Sequence, residues 1–211
     1  MTYNKFIDNT LLKADARRED IKALCEESVK FDFKSVCVNP DFIKDSKEFL
    51  KGSDVLVCTV IGFPLGSMTK EAKVFECKDA IEKGADEIDM VINISKLKDH
   101  QDDYVRDEIK AIKEACGNHT LKVIIECCLL NDEEKVRACL LAKKAGADFV
   151  KTSTGFSKWG AKLEDVILMR KTVGSEMGVK AAGGVRTHEE MVEMVENGAT
   201  RIGTSSGAKL M

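Results

Sequence analysis

The 211-residue sequence predicts an α/β protein with a (β/α)8, or TIM, barrel fold, in which residues 1–211 form a single domain. Three observations support this fold. Short apolar segments alternate with amphipathic helical patterns, eight strands can be placed, and one helix–glycine–strand pattern recurs. An open doubly wound sheet is the alternative, but no Gly-x-Gly-x-x-Gly sequence follows a strand to support its dinucleotide-binding form.

The recurring pattern occurs at residues 82–88, 144–150 and 196–202. In each copy a glycine (Gly84, Gly146 or Gly198) suits the left-handed position just after a helix. In each copy an alanine and then a polar residue follow this glycine and lead directly into an apolar strand. Copies about sixty and fifty residues apart indicate repeated β/α units, with further units between them.

The eight expected strands cover residues 5–9, 33–38, 55–61, 87–93, 121–127, 148–153, 178–182 and 201–204. Apolar stripes at helical spacing lie between them. Two examples are Ile21, Leu24, Cys25, Ser28 and Val29, and Val74, Cys77, Ala80 and Ile81. Helix starts are expected at Asn39 before Pro40, and at two capping boxes, Asn131 with Glu134 and Thr187 with Glu190. The last helix is expected to be cut short by the chain end at Met211.

Composition narrows the function classes. With 44% hydrophobic residues, 33% charged residues and a net charge of -3, the chain has no basic excess for nucleic acid. No hydrophobic signal segment and no spanning apolar run are present, so we expect no membrane association and a cytoplasmic location. The eight cysteines form no Cys-x-x-Cys pair and the three histidines are far apart, so we expect reduced core thiols and no metal site.

Two lysines lie inside apolar strands. Lys151 follows Phe149 and Val150, and Lys180 repeats the pattern one strand later. Parallel strands are buried on both faces, and no local carboxylate partner for Lys151 is evident. Burial favours a neutral amine, the form that attacks carbonyl groups, and a second ammonium nearby would favour it further. The alternative is a lysine at a strand end whose ammonium reaches water.

Polar residues at the expected carboxyl ends of the strands should meet at one face of a barrel. They are Asp8, Thr10, Cys37, Asp89, Glu126, Lys151, Lys180, Ser205 and Ser206. Asp89 lies in an apolar strand and is either a counter-ion of a lysine or a proton carrier. Gly183 and Gly184, with the loop 203–207, suit phosphate binding or, alternatively, simple tight turns.

Together these segments resemble the deoxyribose-phosphate aldolase family over essentially the whole chain. The similarity is carried by residues 7–13, 36–40, 60–66, 84–91, 150–156, 180–187 and 202–207. Lys-Thr-Ser-Thr-Gly at 151–155 and Lys-x-x-Gly-Gly-Val-Arg at 180–186 are its most specific parts. The resemblance implies a class I aldolase that interconverts 2-deoxyribose 5-phosphate with glyceraldehyde 3-phosphate and acetaldehyde. It also implies no metal or organic cofactor, and commonly a homodimer.

Matching positions assign roles by resemblance. Lys151 would form the Schiff base, Lys180 would keep it partly neutral, and Asp89 with an ordered water would move protons. Substrate contacts would come from Asp8, Thr10, Cys37 and Thr154. Phosphate contacts would come from Gly155, Gly183, Gly184, Ser205 and Ser206.

The sequence departs from the family pattern in three places. Asn9 replaces a usual histidine and Ala14 a common proline, so the first loop is expected to be set differently. The loop 156–161 carries Lys158 and Trp159 near positions where many relatives have glycines, so bulk there is expected to alter access to the site, and no long C-terminal tail follows. Two other functions remain open: a non-covalent sugar-phosphate isomerase or decarboxylase barrel, and a non-catalytic sugar-phosphate-binding barrel. Neither explains two lysines on adjacent strands.

Overall fold

The structure is a computed structural model that describes residues 2–211. Eight parallel strands close into a barrel in chain order, and β1 pairs with β8 through Ile7 opposite Ile202. The (β/α)8 barrel expected from the sequence is therefore confirmed. The strands are β1 Ile7–Leu11, β2 Ser35–Val38, β3 Leu56–Ile61, β4 Glu87–Val91, β5 Thr120–Ile124, β6 Phe149–Lys151, β7 Gly178–Ala182 and β8 Arg201–Thr204.

Eight α-helices surround the barrel in the described part of the chain. They are α1 Arg18–Lys30, α2 Ile43–Phe49, α3 Lys70–Glu82, α4 Ile94–Lys98, α5 Asp102–Cys116, α6 Asp132–Lys144, α7 Leu163–Val173 and α8 His188–Glu196. Both α4 and α5 lie between β4 and β5. Within residues 2–211 a 3-10 turn, Gly207–Leu210, takes the place of an α-helix after β8.

The expected strands are in the right places, but several were drawn too long. β1 starts at Ile7 because Asn4–Phe6 form a 3-10 turn, and β4 ends at Val91 because Asn93 caps α4. β5 ends at Ile124 because Glu126 adopts a left-handed conformation. In each case a local turn competes with strand pairing, and apolar character alone does not reveal it.

The helices pack an apolar face against the outer side of the barrel. In α5, Val105, Ile109, Ile112 and Cys116 are buried at helical spacing. The α1 stripe is confirmed at Ile21, Cys25 and Ser28 but wrong at Val29, which is exposed at the end of the stripe.

Local signals from the sequence also have clear outcomes. The capping boxes of α6 and α8 are confirmed, with reciprocal bonds between Asn131 and Glu134 and between Thr187 and Glu190. Pro40 opens a 3-10 turn, but the Asn39 side chain makes no cap bond there. All eight cysteines are buried free thiols. Across residues 2–211, no helix combines the length and the apolarity needed to cross a membrane.

Candidate active site

Seven charged side chains fill the middle of the barrel. The three carboxylates are Asp8 on β1 and Glu87 and Asp89 on β4, and the four cations are Lys122 on β5, Lys151 on β6, Lys180 on β7 and Arg201 on β8. Alternation along each strand points these residues inward, while their apolar neighbours face the helices. All seven are buried. We refer to these seven residues as the interior ion cluster.

Asp89 is the centre of the interior ion cluster. Its Oδ2 atom lies 2.7 Å from Lys151 Nζ and 2.8 Å from Lys180 Nζ, and its Oδ1 atom lies 2.9 Å from Lys122 Nζ. Burial alone would raise the pKa of Asp89, but the charges of the three lysines outweigh it and hold the pKa well below its usual range. Lys151 has no carboxylate partner nearby in the sequence, and Asp89, considered from the sequence as a possible counter-ion, supplies one from β4, two strands away.

Lys180 is held as a cation. Strand pairing places it directly opposite Lys151, as expected for neighbouring strands, and its Nζ also lies 2.5 Å from Asp8 Oδ2. Burial acts to lower the pKa of Lys180, but Asp8 and Asp89 raise it well above its usual range. Gly203 on β8 leaves room for this side chain, since a Cβ there would lie 3.0 Å from Lys180 Cε.

The remaining members of the cluster were not among the candidates found in the sequence. Lys122 Nζ lies 2.6 Å from Glu87, and Arg201 pairs with both Glu87 and Asp8. Lys122 had a recognisable signal, because it is flanked by Leu121 and Val123 in the same way that the other lysines are flanked. Glu87 had one too, since it lies two residues before Asp89 on the same face.

The cluster contains one more cation than carboxylates. Lys122, Lys180 and Arg201 together balance Asp8, Glu87 and Asp89, so a protonated Lys151 would be a fourth buried positive charge without its own counter-ion. Burying an uncompensated charge is costly. Lys151 is also the one member of the cluster that lines the cavity above it.

A cavity of about 450 Å³ opens at the carboxyl ends of the strands. Eight residues proposed from the sequence line it: Thr10, Lys151, Thr154, Gly155, Gly183, Gly184, Ser205 and Ser206. Asp8, Cys37, Asp89 and Lys180 do not line it, and all four have no exposed surface. The cavity is thus a glycine- and hydroxyl-lined space with one amine at its base and a layer of buried charge beneath.

Three cations at the cavity were missed in the sequence. Lys13, Arg186 and Lys209 line it, and within residues 2–211 none of them forms an ion pair. Lys13 and Arg186 lie inside segments already singled out, 7–13 and 180–187, while Lys209 is brought in by the last 3-10 turn. Unpaired cations beside backbone amides provide the charge and the donors that an anion requires.

The side chains of the first two strands have defined partners. The Thr10 hydroxyl donates to the Asp8 carbonyl oxygen, 3.0 Å away. Asn9 points outward and donates to Glu27 on α1 at 2.8 Å, so its replacement of histidine concerns helix packing rather than the cavity. Cys37 packs beside Cys58, whose thiol hydrogen bond lowers the pKa of Cys37 despite burial.

A metal ion fits poorly in this cluster. Ligand atoms of Cys37, Cys58 and Asp89 lie within 4.8 Å of one another. However, Lys122 Nζ lies 3.4 Å from Cys58 Sγ, and three lysine nitrogens, including the cationic Lys180, already surround Asp89. A metal cation there would be repelled by charges in contact with its ligands.

The loop after β6 lies over the end of β7. Phe156 lines the cavity and its ring packs edge-on against Phe63 at 5.3 Å between centroids. Gly160 approaches the Gly183 backbone so closely that a Cβ would lie 2.2 Å from the Gly183 carbonyl oxygen. Lys158 and Trp159, whose bulk was expected to alter access, are not among the described residues that line the cavity, whereas Phe156 of the same loop is.

A (β/α)8 barrel with a buried lysine amine at the base of a glycine-lined cavity has the arrangement of enzymes that form Schiff bases with carbonyl substrates. The model of the DeoC/LacD aldolase family matches residues 4–210. The chain belongs to this family and is a carbon–carbon lyase.

Individual relatives agree with this family. A deoxyribose-phosphate aldolase from Clostridium botulinum (strain Langeland) is 60% identical over 211 residues, which is the full length of both chains. The solved structure of an aldolase named QR15 is 40% identical, with a TM-score of 0.94 over 98% of this chain and 93% of that one. A tetrameric deoxyribose phosphate aldolase from Aeropyrum pernix is 33% identical, with a TM-score of 0.89 over 98% and 88% of the two chains.

Proposed function

We propose that the chain is a class I aldolase that cleaves 2-deoxy-D-ribose 5-phosphate reversibly to D-glyceraldehyde 3-phosphate and acetaldehyde, in deoxyribose catabolism. The observation that carries this proposal is the Lys151 amine at the base of the cavity, 2.7 Å from Asp89. The names and full-length similarity of the relatives support the substrate.

In the proposed mechanism the neutral Lys151 amine adds to the C1 aldehyde, and loss of water gives an iminium ion. The C3 hydroxyl then loses its proton, the C2–C3 bond breaks, and its electron pair moves to the iminium nitrogen. Glyceraldehyde 3-phosphate leaves. Protonation of the enamine carbon and hydrolysis release acetaldehyde and restore the amine.

Asp89 and Lys180 assist this amine. The Asp89 carboxylate is within hydrogen-bonding distance of Lys151 Nζ, so it can exchange a proton there as the carbinolamine forms and collapses. With an ordered water, Asp89 would also serve the C3 hydroxyl and the enamine carbon. The ammonium of Lys180 would disfavour a second positive charge on Lys151, because the two nitrogens contact the same Asp89 oxygen.

The phosphate group is proposed to bind at the side of the cavity formed by Gly155, Gly183, Gly184, Ser205 and Ser206. Backbone amides at these glycines would donate to it, and Arg186 would offset its charge. Thr10 and Thr154 are proposed to line the sugar path. Asp8 and Cys37 would shape the aldehyde end indirectly, through Lys180 and the neighbouring thiol, because neither reaches the cavity.

Borohydride trapping tests the covalent step. The protein is incubated with acetaldehyde or 2-deoxyribose 5-phosphate, reduced, digested and mapped by mass spectrometry. We expect one adduct, on Lys151, and none in Lys151→Leu. An adduct that persists in Lys151→Leu removes this residue from the role of nucleophile. A folded protein that gives no adduct with either carbonyl compound favours the non-covalent barrel functions.

The assembly and setting of the enzyme are also proposed. The chain acts as one domain, functions in the cytoplasm, and needs no metal or organic cofactor. A homodimer is proposed for its assembly. Light scattering on the purified protein decides between a dimer and a tetramer like that of the Aeropyrum pernix relative.

A further inference from the structure

Glu126 lies at an irregularity of the barrel next to the cavity. The Ile125 amide donates to the Lys151 carbonyl at 3.0 Å, and the Cys127 amide donates to the Thr152 carbonyl at 2.8 Å. Two steps along this chain thus match one step along the β6 chain, which is the geometry of a β-bulge. Glu126 is the extra residue, and it adopts a left-handed conformation with φ +57°.

The bulge directs the Glu126 carboxylate at Thr154. Its Oε2 accepts from the Thr154 hydroxyl at 2.5 Å, and both of its oxygens lie 3.3 Å from the Thr154 amide. The residue is 2% exposed, and within residues 2–211 no cation pairs with it. A buried carboxylate served by neutral donors, on a strained backbone, is costly to maintain.

Thr154 passes this constraint on to the loop that lines the cavity. The same hydroxyl that donates to Glu126 accepts from the Phe156 amide at 3.0 Å, which closes a turn around Gly155. Gly155 has φ +83° and lines the cavity, and it lies four residues after Lys151, the last residue of β6. The orientation of the Gly155 amide is therefore set by a turn that Glu126 holds through Thr154.

We propose that Glu126 is a positioning residue for anion binding. Acting through Thr154, it fixes the turn at Gly155 so that the backbone amides there meet a phosphate group. It touches neither the substrate nor Lys151. The identity of the anion as a sugar phosphate rests on the proposed function. The contacts from Glu126 through Thr154 to the turn at Gly155 do not depend on that function.

Two readouts separate this inference from the proposed function. The first is the ratio of kcat/KM for 2-deoxyribose 5-phosphate to that for unphosphorylated deoxyribose. The second is the Kd for inorganic phosphate, followed by fluorescence of Trp159, the single tryptophan, which lies in the same loop. The phosphate Kd needs no turnover, so it still tests Glu126 if the proposed reaction is not observed.

For Glu126→Ala we expect about a tenfold or greater rise in phosphate Kd and in KM for the phosphorylated sugar. The variant removes about one to two hydrogen bonds that hold Thr154, and with them the fixed conformation of the turn at Gly155. Acetaldehyde trapping on Lys151 should persist. Glu126→Gln should recover most of the affinity, because its amide oxygen still accepts from Thr154. In phosphate Kd, the readout that involves no sugar, Thr154→Val should resemble Glu126→Ala, and the double variant should be no worse than either.

Glu108→Gln is the matched control. Glu108 is another fully buried carboxylate, but it pairs with Lys73 and accepts from the Asn93 amide outside the cavity. It should lower the melting temperature and leave the phosphate Kd unchanged. Unaltered phosphate Kd and specificity ratio in a folded Glu126→Ala protein, or additive effects in the double variant, would overturn the proposal.

Discussion

Lys122→Met tests whether the charge balance of the whole interior ion cluster, and not Lys180 alone, controls the nucleophile. Methionine keeps the length and the apolar stem of the lysine but removes its charge. Asp8, Glu87 and Asp89 would then face only Lys180 and Arg201, so a proton on Lys151 would restore balance. We expect the activity to appear at a higher pH.

The size of this effect follows from the geometry at Asp89. Lys122 and Lys151 contact different oxygens of one carboxylate, at 2.9 Å and 2.7 Å, which places their nitrogens about 5 Å apart. At an effective dielectric constant near 20, two unit charges at about this separation interact by about 3 kcal/mol, or about two pH units. Removing Lys122 should therefore move the acidic limb of the kcat/KM profile upward by about one to two units.

The assay is the pH dependence of kcat/KM for aldol cleavage, measured beside thermal unfolding. Breaking a buried ion pair from one side also costs about 3–5 kcal/mol of stability, so a matched control is needed. Lys73→Met supplies it, because Lys73 is equally buried and lies 2.8 Å from Glu108, outside the cluster. The control should lose stability without a shift in the pH profile. A folded Lys122→Met enzyme with an unchanged profile would refute the charge-balance argument.

Three further predictions follow from the site. Lys180→Leu should also raise the pH at which activity appears, by at least as much as Lys122→Met, because the Lys180 and Lys151 nitrogens contact the same Asp89 oxygen. An unchanged pH profile of kcat/KM would contradict this role of Lys180. Lys209→Ala should raise KM for the phosphorylated sugar several-fold and leave unphosphorylated deoxyribose, itself a much poorer substrate, nearly unaffected; steady-state kinetics with both sugars check this, and equal turnover of the two would refute phosphate recognition. The pKa values of the three cluster carboxylates lie below their unfolded values near 4, so the unfolded chain binds more protons in acid than the folded chain does. The melting temperature, measured by thermal unfolding at each pH, should therefore be constant above about pH 5 and fall steadily below about pH 4. A melting temperature that stays constant down to about pH 3 would contradict this.

Much of the site could be predicted because its residues break a local pattern. Lys151 and Lys180 are polar residues in strands that are otherwise apolar, and such exceptions are visible in any sequence. The same test applied to Lys122 would have found it as well. Asp8 and Cys37 were also identified from the sequence, but the sequence did not show that both lie below the cavity and outside its lining. A strand pattern predicts the direction of a side chain and not its depth in the barrel.

The Glu126 carboxylate shows a different limit. Its position after β5 suggested a role at the active face, yet its contact with Thr154 depends on a bulge between two strands. Bulges arise from how paired strands fit together, so residues of one strand alone do not reveal them. Lys209 could not be placed from one strand alone either, because only closure of the barrel brings the turn Gly207–Leu210 beside the cavity that residues of β1 also line.

The sequence by itself determined the barrel, the order of its elements and the two lysines, because helix and strand periodicity and an ionisable residue in an apolar strand are local properties. Only the tertiary structure decided how charge is distributed among those residues. Three carboxylates and four basic side chains from six strands meet in the buried interior of the barrel, and their protonation depends on all the pairwise distances at once. Those distances exist only after the barrel has closed.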